Sequence, residues 1–308
     1  MLIVENLCKS YGKLQAVNQL SFTIEDGSIF GFVGPNGAGK TSTMKIISTL
    51  LKPTSGRVEV AGVDISVNPG LVRGLVGYMP DFFGVYDDLK VAEYLDFYAA
   101  SYGIPQAQRG KIAEDLLELM DLAHKRDAYV DSLSRGMKQR LCLARSLVHD
   151  PELLILDEPA SGLDPRARVE MREILKELKN MGKTIMISSH ILPELTELCT
   201  HIGIIEAGQM VACGTVEEIM RFSQLGSNLR ITLLDRIEDT VRLLQEQAST
   251  GKVEVVGNTL EMPFTGDERE MSRILNLLVG QGIPVVSFAP SNSNLEDIFM
   301  QVTKGVVQ

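Results

Sequence analysis

Residues 34–41 carry the sequence GPNGAGKT, in which glycines stand at the first and sixth positions and Lys-Thr ends the stretch. The residues just before it, 28–33 (SIFGFV), are mostly apolar, which predicts a short buried strand. Behind it, Met44, Ile47 and Leu51 recur at helical spacing. A glycine loop between a strand and a helix is the context in which this pattern binds phosphate. A chance glycine turn is the alternative.

The residue types in this loop suit a phosphate ligand. Gly34, Gly37 and Gly39 can adopt backbone conformations that are closed to residues with a Cβ atom, so that successive N–H groups point at one anion. The helix N-terminus that follows adds partial positive charge. We expect Lys40 to reach the β- and γ-phosphates and the Thr41 hydroxyl to bind magnesium.

Composition limits the partners of the chain. Its 308 residues suggest about two domains. A net charge of −10 argues against binding DNA or RNA and against electrostatic adhesion to anionic lipid. No apolar run approaches the ~18–20 residues of a membrane span, and the N-terminus resembles no signal peptide. The four cysteines lack metal-like spacing and fit a reducing cytoplasm. Any membrane role therefore requires a protein partner.

Two carboxylates follow a strongly apolar segment in the middle of the chain. Residues 153–156 (LLIL) predict a buried strand, and Asp157 and Glu158 come directly after it. Ligands of open α/β sheets bind at the carboxyl ends of the strands. We expect Asp157 to hold magnesium, and Glu158 to orient and deprotonate the attacking water. Solvated loop acids are the alternative.

Four further residues are candidates for a functional role as well as a structural one. Ser134 and Asp164 have the chemistry of helix N-caps, with Pro165 as the first helical residue in the second case. His190 follows a predicted strand at 183–189, where it is expected to contact a γ-phosphate although a lone histidine is usually structural. Tyr11 either stacks on a base or fills an edge-strand surface.

Coarse periodicity organises the rest of the chain. Strands are predicted at residues 1–7, 16–24, 57–60, 72–78, 202–205 and 210–212, and helices at 91–102, 106–119 and 216–220. From about residue 227 the order β-α-β-β-α-β predicts a small ferredoxin-like domain, followed by a short helix at 294–299. The chain is divided into domains 1–222 and 223–308.

The ordered set of motifs resembles the nucleotide-binding subunit of an ATP-binding cassette (ABC) transporter, over roughly residues 1–220. The resemblance implies an α/β fold: a P-loop NTPase (RecA-like) core, an antiparallel β subdomain and a helical insertion at about residues 82–140. In chain order the matches are Tyr11 to the adenine-stacking aromatic, 34–41 to the Walker A loop, 133–137 to the signature motif, Asp157 and Glu158 to Walker B and its catalytic glutamate, Asp164 to the D-loop, and His190 to the switch histidine.

The resemblance implies ATP and Mg²⁺ as ligands. The implied nucleotide-binding residues are Tyr11, Gly34, Pro35, Asn36, Gly37, Ala38, Gly39, Lys40, Thr41, Ser42, Ser134, Gly136 and Asp164. The implied magnesium ligands are Thr41, Asp157 and Asp81, and the implied catalytic residues are Glu158, His190 and Lys40.

This chain departs from the family pattern at two places. Asp81 follows Tyr78-Met79-Pro80 where the family usually has glutamine; aspartate is shorter and charged, and it replaces the amide that the resemblance places near magnesium or the attacking water. The signature motif is usually Leu-Ser-Gly-Gly-Gln, and here Arg135 and Met137 replace its third and fifth residues. Arg135 either adds a phosphate contact or points to solvent.

The family's logic implies a head-to-tail homodimer that sandwiches two ATP molecules, at the cytoplasmic face of the cell membrane. Integral membrane permease subunits would dock near the apolar stretch 81–94, and the tail resembles ABC ATPases that serve exporters of drugs, lipids or polysaccharides. Two alternatives stay open. One is a soluble ABC protein of translation or DNA repair, which the acidic charge disfavours; the other is a non-hydrolysing nucleotide switch.

Overall fold

A computed structural model describes residues 1–82, 84, 86, 88–189, 192–224, 227–246, 250–264 and 266–291. The chain forms two compact units, Met1–Val216 and Glu217–Gln301. This division falls at the start of a helix, Val216–Gln224, whereas the predicted division fell near the end of that helix. Three residues of the apolar stretch 81–94 (positions 83, 85 and 87), His190, and the helix predicted at 294–299 lie outside the described residues.

The first unit alternates strands and helices. Its strands are β1 Leu2–Tyr11, β2 Leu14–Ile24, β3 Ile29–Val33, β4 Ser55–Val60, β5 Val63–Asp64, β6 Val76–Met79, β7 Leu153–Leu156, β8 Thr184–Ser188, β9 His201–Glu206 and β10 Gln209–Thr215. Its helices are α1 Lys40–Ile47, α2 Pro69–Leu75, α3 Val91–Ser101, α4 Gln106–Leu119, α5 Arg135–Leu147, α6 Pro165–Asn180 and α7 Leu192–Leu198. Helix α8, Val216–Gln224, begins at the boundary between the two units. Two 3₁₀ turns, Ala123–Lys125 and Val130–Ser132, lie between α4 and α5.

Two sheets build this unit. The larger has the order β10-β9-β3-β8-β7-β6, and all of its pairs except β10-β9 are parallel. Its central strands β3, β7 and β8 are buried at every position, which explains their nearly continuous apolar sequences. The smaller sheet, β2-β1-β4-β5, is antiparallel. The α/β class that the sequence predicted, a P-loop core with an antiparallel sheet, is confirmed.

One apolar core joins both sheets to the helix behind the glycine loop. Met44, Ile46 and Ile47 of α1 are buried in the same cluster as strands of the two sheets. The Phe22 ring of β2 stacks on the Phe30 ring of β3 with centroids 5.3 Å apart. This packing fixes where α1 begins, and therefore where the loop presents its N–H groups.

The strand predicted at residues 72–78 is wrong in its first half. The segment contains the end of helix α2 and then the short strand β6. Asn68 caps α2 by accepting a hydrogen bond from the Leu71 N–H, and Pro69 occupies the first turn, where its missing N–H costs nothing. Val72 is β-branched, which favours a strand, but the Asn68 cap and Pro69 place it in helix α2. Val76 begins strand β6.

The second unit is a separate α+β body. Its elements are β11 Ser227–Leu233, α9 Ile237–Gln245, β12 Glu254–Val256, β13 Thr259–Phe264, α10 Glu268–Gly280 and β14 Val285–Ser291. The sheet order is β12-β13-β11-β14 with antiparallel pairs, which is the ferredoxin-like arrangement. Leu229, Ile231 and Leu260 of the sheet share a core with Leu244, Ile274 and Leu278 of the helices. Among the described residues, no helix combines the length and apolar character needed to span a membrane.

Candidate functional site

The glycine loop lies between β3 and α1, and glycine is required at its positions for different structural reasons. Gly37 and Gly39 have φ of 83° and 104°, which L side chains rarely adopt. A Cβ atom on Gly39 would also overlap the Ala16 carbonyl oxygen. Gly34 does not have a positive φ; there a Cβ atom would overlap the Ile205 carbonyl oxygen of β9. Close backbone packing, rather than conformational freedom, therefore requires Gly34.

Lys40 is held inside the loop. Its ammonium group donates to the carbonyl oxygen of Gly34 at 2.6 Å and to that of Pro35 at 3.2 Å. Burial lowers the pKa of Lys40, and the charges of Glu158 and Asp157 act in the opposite direction. These two carbonyl oxygens accept the hydrogen bonds of the buried ammonium, and a phosphate bound in the loop would be a further acceptor for it.

The loop opens onto a cleft of about 310 Å³, a volume at the lower end of the range of small-molecule binding pockets. The backbone N–H groups of the loop and the beginning of α1 give one wall a positive potential. The lining also includes carboxylates. The lining residues are Tyr11, Leu14, Ala16, Asn36, Gly37, Ala38, Gly39, Lys40, Thr41, Ser42, Asp81, Asp157 and Glu158. All three acidic residues that the sequence predicted here are therefore present at the cleft.

The two carboxylates after β7 are positioned by the neighbouring strand. Asp157 is buried, and its Oδ1 accepts a 2.7 Å hydrogen bond from the Ser188 hydroxyl at the end of β8. The same hydroxyl accepts a 2.9 Å hydrogen bond from the backbone N–H of Glu158. Glu158 itself adopts a left-handed conformation, with φ of 53°. Such strain in a non-glycine residue concentrates at functional sites.

Sequence reasoning missed Ser188, Leu14 and Ala16. The sequence signals only that Ser188, at the carboxyl end of a predicted strand, lies at the ligand edge of the sheet. Its contact with Asp157 depends on the pairing of β7 with β8, which only the structure gives. Ala16 contributes a backbone contact to Gly39, which no side-chain pattern signals.

One buried atom fits a magnesium ion. Oδ2 of Asp157 is buried and has no hydrogen-bond partner in the described part of the chain. Buried carboxylate oxygens normally have partners, so this atom has the character of a metal ligand. Thr41, whose hydroxyl is the other expected ligand, lines the same cleft. Burial and the charges of Asp157 and Asp81 raise the pKa of the nearby Tyr78 phenol, which therefore stays neutral.

Tyr11 lies at one side of the cleft with nearly half of its surface exposed (46%). Its hydroxyl is 3.4 Å from the Ser42 hydroxyl, and the Lys9 ammonium lies 5.0 Å from the ring centroid. An exposed ring held beside the phosphate loop is a suitable surface for a base.

The predicted residues Ser134, Gly136 and Asp164 lie elsewhere. Ser134 caps α5 by accepting from the Met137 N–H at 3.3 Å, and Asp164 caps α6 by accepting from the Ala167 N–H at 2.9 Å. The two caps are exposed. The described lining of the cleft includes none of these three predicted residues. The structure therefore brings together the loop, Tyr11 and the carboxylates, and leaves the signature residues on a different part of the surface.

Comparison with known families covers both units. The "ABC transporter" family matches residues 17–161, and the family "ATP-binding protein DrrA1-3-like, C-terminal domain" matches residues 214–303. The Nod factor export ATP-binding protein I of Cupriavidus metallidurans is 36% identical over 98% of this chain and 97% of its own length. The bacitracin transport ATP-binding protein BcrA of Bacillus licheniformis is 36% identical over 97% and 96%. The linearmycin resistance ATP-binding protein LnrL of Bacillus subtilis is 33% identical over 98% of both.

Solved structures agree with the fold. A structure described as the ATP binding subunit of an ABC transporter superposes with a TM-score of 0.66 at 30% identity, over 73% of this chain and 94% of the other. A dimeric, post-hydrolysis ATP-binding cassette with ADP and Pi gives a TM-score of 0.64 at 23% identity, over 70% and 99%. With relatives at 33–36% identity along nearly its whole length, the chain belongs to the ATP-binding subunits of ABC transporters, a family of ATPases.

Proposed function

We propose that two copies of this chain close on two Mg-ATP molecules, hydrolyse them, and thereby drive export through separate membrane-spanning subunits. One observation supports the dimer: the cleft is lined by the phosphate loop and three carboxylates, whereas Ser134 and Asp164, which are exposed, and the half-buried Gly136 are absent from its described lining. Each copy thus has half of a site, and a second copy supplies the other half. A head-to-tail twofold pair provides both halves twice.

Within one copy, the proposed roles follow from position. The loop N–H groups and Lys40 bind the phosphates, and Tyr11 stacks on the adenine. The Glu158 carboxylate, at the cleft and with its backbone held by Ser188, orients the attacking water and takes its proton. His190 is proposed to contact the γ-phosphate from the end of the strand β8, although it lies outside the described residues.

Thr41 and Asp157 would hold the magnesium ion, and Asp81 lies at the same cleft. Bound there, Mg²⁺ would neutralise charge on the phosphates. The unpartnered Oδ2 of Asp157 supports this assignment. Asp81 adds a negative charge where the family usually has an amide, which favours a tighter dependence on the divalent ion.

The exporter role rests on the relatives, whose names specify Nod factor export and bacitracin transport. Integral permease subunits are proposed to dock near residues 81–94, at the cytoplasmic face of the membrane. Phe82 is 89% exposed and Tyr86 is exposed, which gives this stretch an apolar surface. The transported substrate would be selected by the permease.

The first test is Glu158→Gln. We expect this variant to bind ATP, to lose turnover and to accumulate a closed dimer with Mg-ATP, as measured by phosphate release and gel filtration. Glu152→Gln removes an exposed carboxylate just before β7 and serves as the matched control, with wild-type turnover. Retained hydrolysis in the Glu158 variant contradicts its role.

The second test concerns the membrane partner. Gentle extraction should recover the chain from membranes together with a multi-span integral protein. Recovery with ribosomes would favour the soluble alternative instead. The non-hydrolysing switch, which Asp81 mildly favours, predicts ATP-dependent dimers without phosphate release by the wild-type protein.

A further inference from the structure

The Arg135 side chain, which replaces the usual third residue of the signature motif, contacts the turn before α6. Its Nη2 donates to the Ser161 carbonyl oxygen at 3.2 Å. A Cβ atom placed on Gly162 would lie 2.7 Å from Nη1 and closer still to Cζ and Nη2, so the guanidinium plane lies directly on the Gly162 backbone. The side chain therefore neither points to solvent alone nor lies at the cleft of its own copy.

Two more contacts join the same elements. The Gln139 side-chain amide, one helical turn after Arg135, also donates to the Ser161 carbonyl oxygen at 3.2 Å. At Gly136, a Cβ atom would lie 3.2 Å from the Ala167 Cβ atom, so the first turns of α5 and α6 approach closely. The two helix starts, capped by Ser134 and Asp164, thus form one packed unit.

Gly162 is suited to this contact in two ways. Its φ of 67° belongs to the left-handed region, and the face that a side chain would occupy is filled by the guanidinium. A planar, delocalised cation fits flat against backbone, and the compact ammonium of lysine does not. The arginine and the glycine are therefore complementary in shape.

We infer that Arg135 is a positioning residue that fixes the Ser134 cap relative to the Asp164 cap. The inference rests on the proposed function, because both caps are there expected to meet the nucleotide of the second copy. Movement of either helix start then carries the other, and the signature serine and the D-loop aspartate reach the partner's ATP together. Arg135 acts through Ser161 and Gly162 rather than on phosphate.

The test compares Arg135→Ala, Arg135→Lys and Gly162→Ala. We expect both arginine variants to lower kcat about tenfold or more, since small misplacements of catalytic groups have such effects. The affinity of the monomer for a fluorescent ATP analogue should stay within about twofold, because the phosphate loop is untouched. In the Glu158→Gln background the closed-dimer fraction should fall in parallel. A direct phosphate contact would instead let lysine retain most of the activity.

A double-mutant cycle isolates the contact. Gly162→Ala should reduce kcat strongly in the wild-type chain and much less in the Arg135→Ala chain, because the overlap disappears with the guanidinium. Gly182→Ala is the control: Gly182 has φ of 89° and open space around it, so alanine there adds backbone strain without a clash, and activity should be unchanged.

Three outcomes are distinguishable. If the wild-type protein closes and hydrolyses ATP while both Arg135 variants match it in kcat and dimer fraction, the inference fails and the proposed function stands. An equal effect of Gly162→Ala with and without Arg135 also overturns it. If the wild-type protein neither closes nor hydrolyses ATP, the proposed function fails and this inference fails with it.

Discussion

The Ser188 hydroxyl donates a 2.7 Å hydrogen bond to Oδ1 of Asp157, across two adjacent parallel strands. The same hydroxyl accepts a hydrogen bond from the Glu158 N–H. One hydroxyl therefore holds both the Asp157 side chain and the Glu158 backbone at the end of β7. The bond occupies one carboxylate oxygen and turns the unpartnered Oδ2 away from it. Outer-shell partners of this kind orient metal-binding carboxylates.

Ser188→Ala should therefore lower kcat about tenfold to a hundredfold and raise the Mg²⁺ concentration needed for half-maximal turnover. The reason is that Asp157 loses its orientation while the phosphate loop is intact. ATP binding without Mg²⁺ should be unchanged, as measured by equilibrium titration. Ser146→Ala removes another buried hydroxyl, bonded within its own helix to Leu143 O at 2.7 Å, and should leave the Mg²⁺ dependence unaltered.

Gly39→Ala should destabilise the fold as well as abolish ATP binding. The left-handed conformation costs a residue with a Cβ atom about 1–2 kcal/mol, and forcing extra volume into packed structure adds about 1–3 kcal/mol. The overlap with the Ala16 carbonyl oxygen supplies that second contribution. Gly62→Ala, with φ of 77° and open space, should show the first contribution only. Equal losses of unfolding free energy in urea would contradict the packing argument.

Local patterns allowed most of the fold to be predicted. The strand, loop and helix around residues 28–47 follow each other directly, so the phosphate loop needed no distant information. The order of elements after residue 227 likewise indicated the ferredoxin-like sheet, which is confirmed. The strand predicted at residues 72–78 is wrong in its first half because the Asn68 cap and Pro69 begin a helix that includes Val72.

Contacts between distant segments could not be predicted. Ser188 meets Asp157 only because β7 and β8 are neighbours in the sheet, and the strand order is not written in either segment. Arg135 contacts Gly162 because the starts of α5 and α6 lie close together. From the sequence alone, either a phosphate contact or a solvent-exposed side chain was expected. The close packing at Gly34 depends in the same way on β9, far along the chain.

Tyr11→Ala should weaken ATP binding roughly tenfold to a hundredfold, because stacking of a base on an aromatic ring contributes about 1–3 kcal/mol. Tyr11→Phe keeps the ring and removes only the hydroxyl, which lies at a long 3.4 Å from Ser42. It should bind ATP within about twofold of the wild type. Isothermal titration with both variants decides between stacking and a mere surface role, since the latter leaves the alanine variant unchanged.

His149 should make stability depend on pH. Its ring stacks on Tyr102 at 3.8 Å, and Nε2 lies 3.1 Å from the Val76 carbonyl oxygen, so Nε2 carries the proton. Nδ1 is buried without a partner in the described structure. Burial lowers the pKa of His149 below its ordinary 6.5, against a smaller opposing contribution from the Val76 bond. Protonation therefore places an unmatched charge in the fold.

The direction of this pH dependence follows from the number of protons that the folded and unfolded chains bind. Between the lowered folded pKa and the ordinary 6.5, the unfolded chain binds more protons than the folded chain. The contribution of His149 is therefore fully present above pH 6.5 and is lost as the pH falls through the folded pKa. His149→Gln, whose amide can still donate to the Val76 carbonyl, should flatten the fall in unfolding free energy measured in urea between about pH 7.5 and pH 5. His124→Gln, at an exposed position, should leave that slope as in the wild type, and an unchanged slope in the His149 variant would show that other groups carry it.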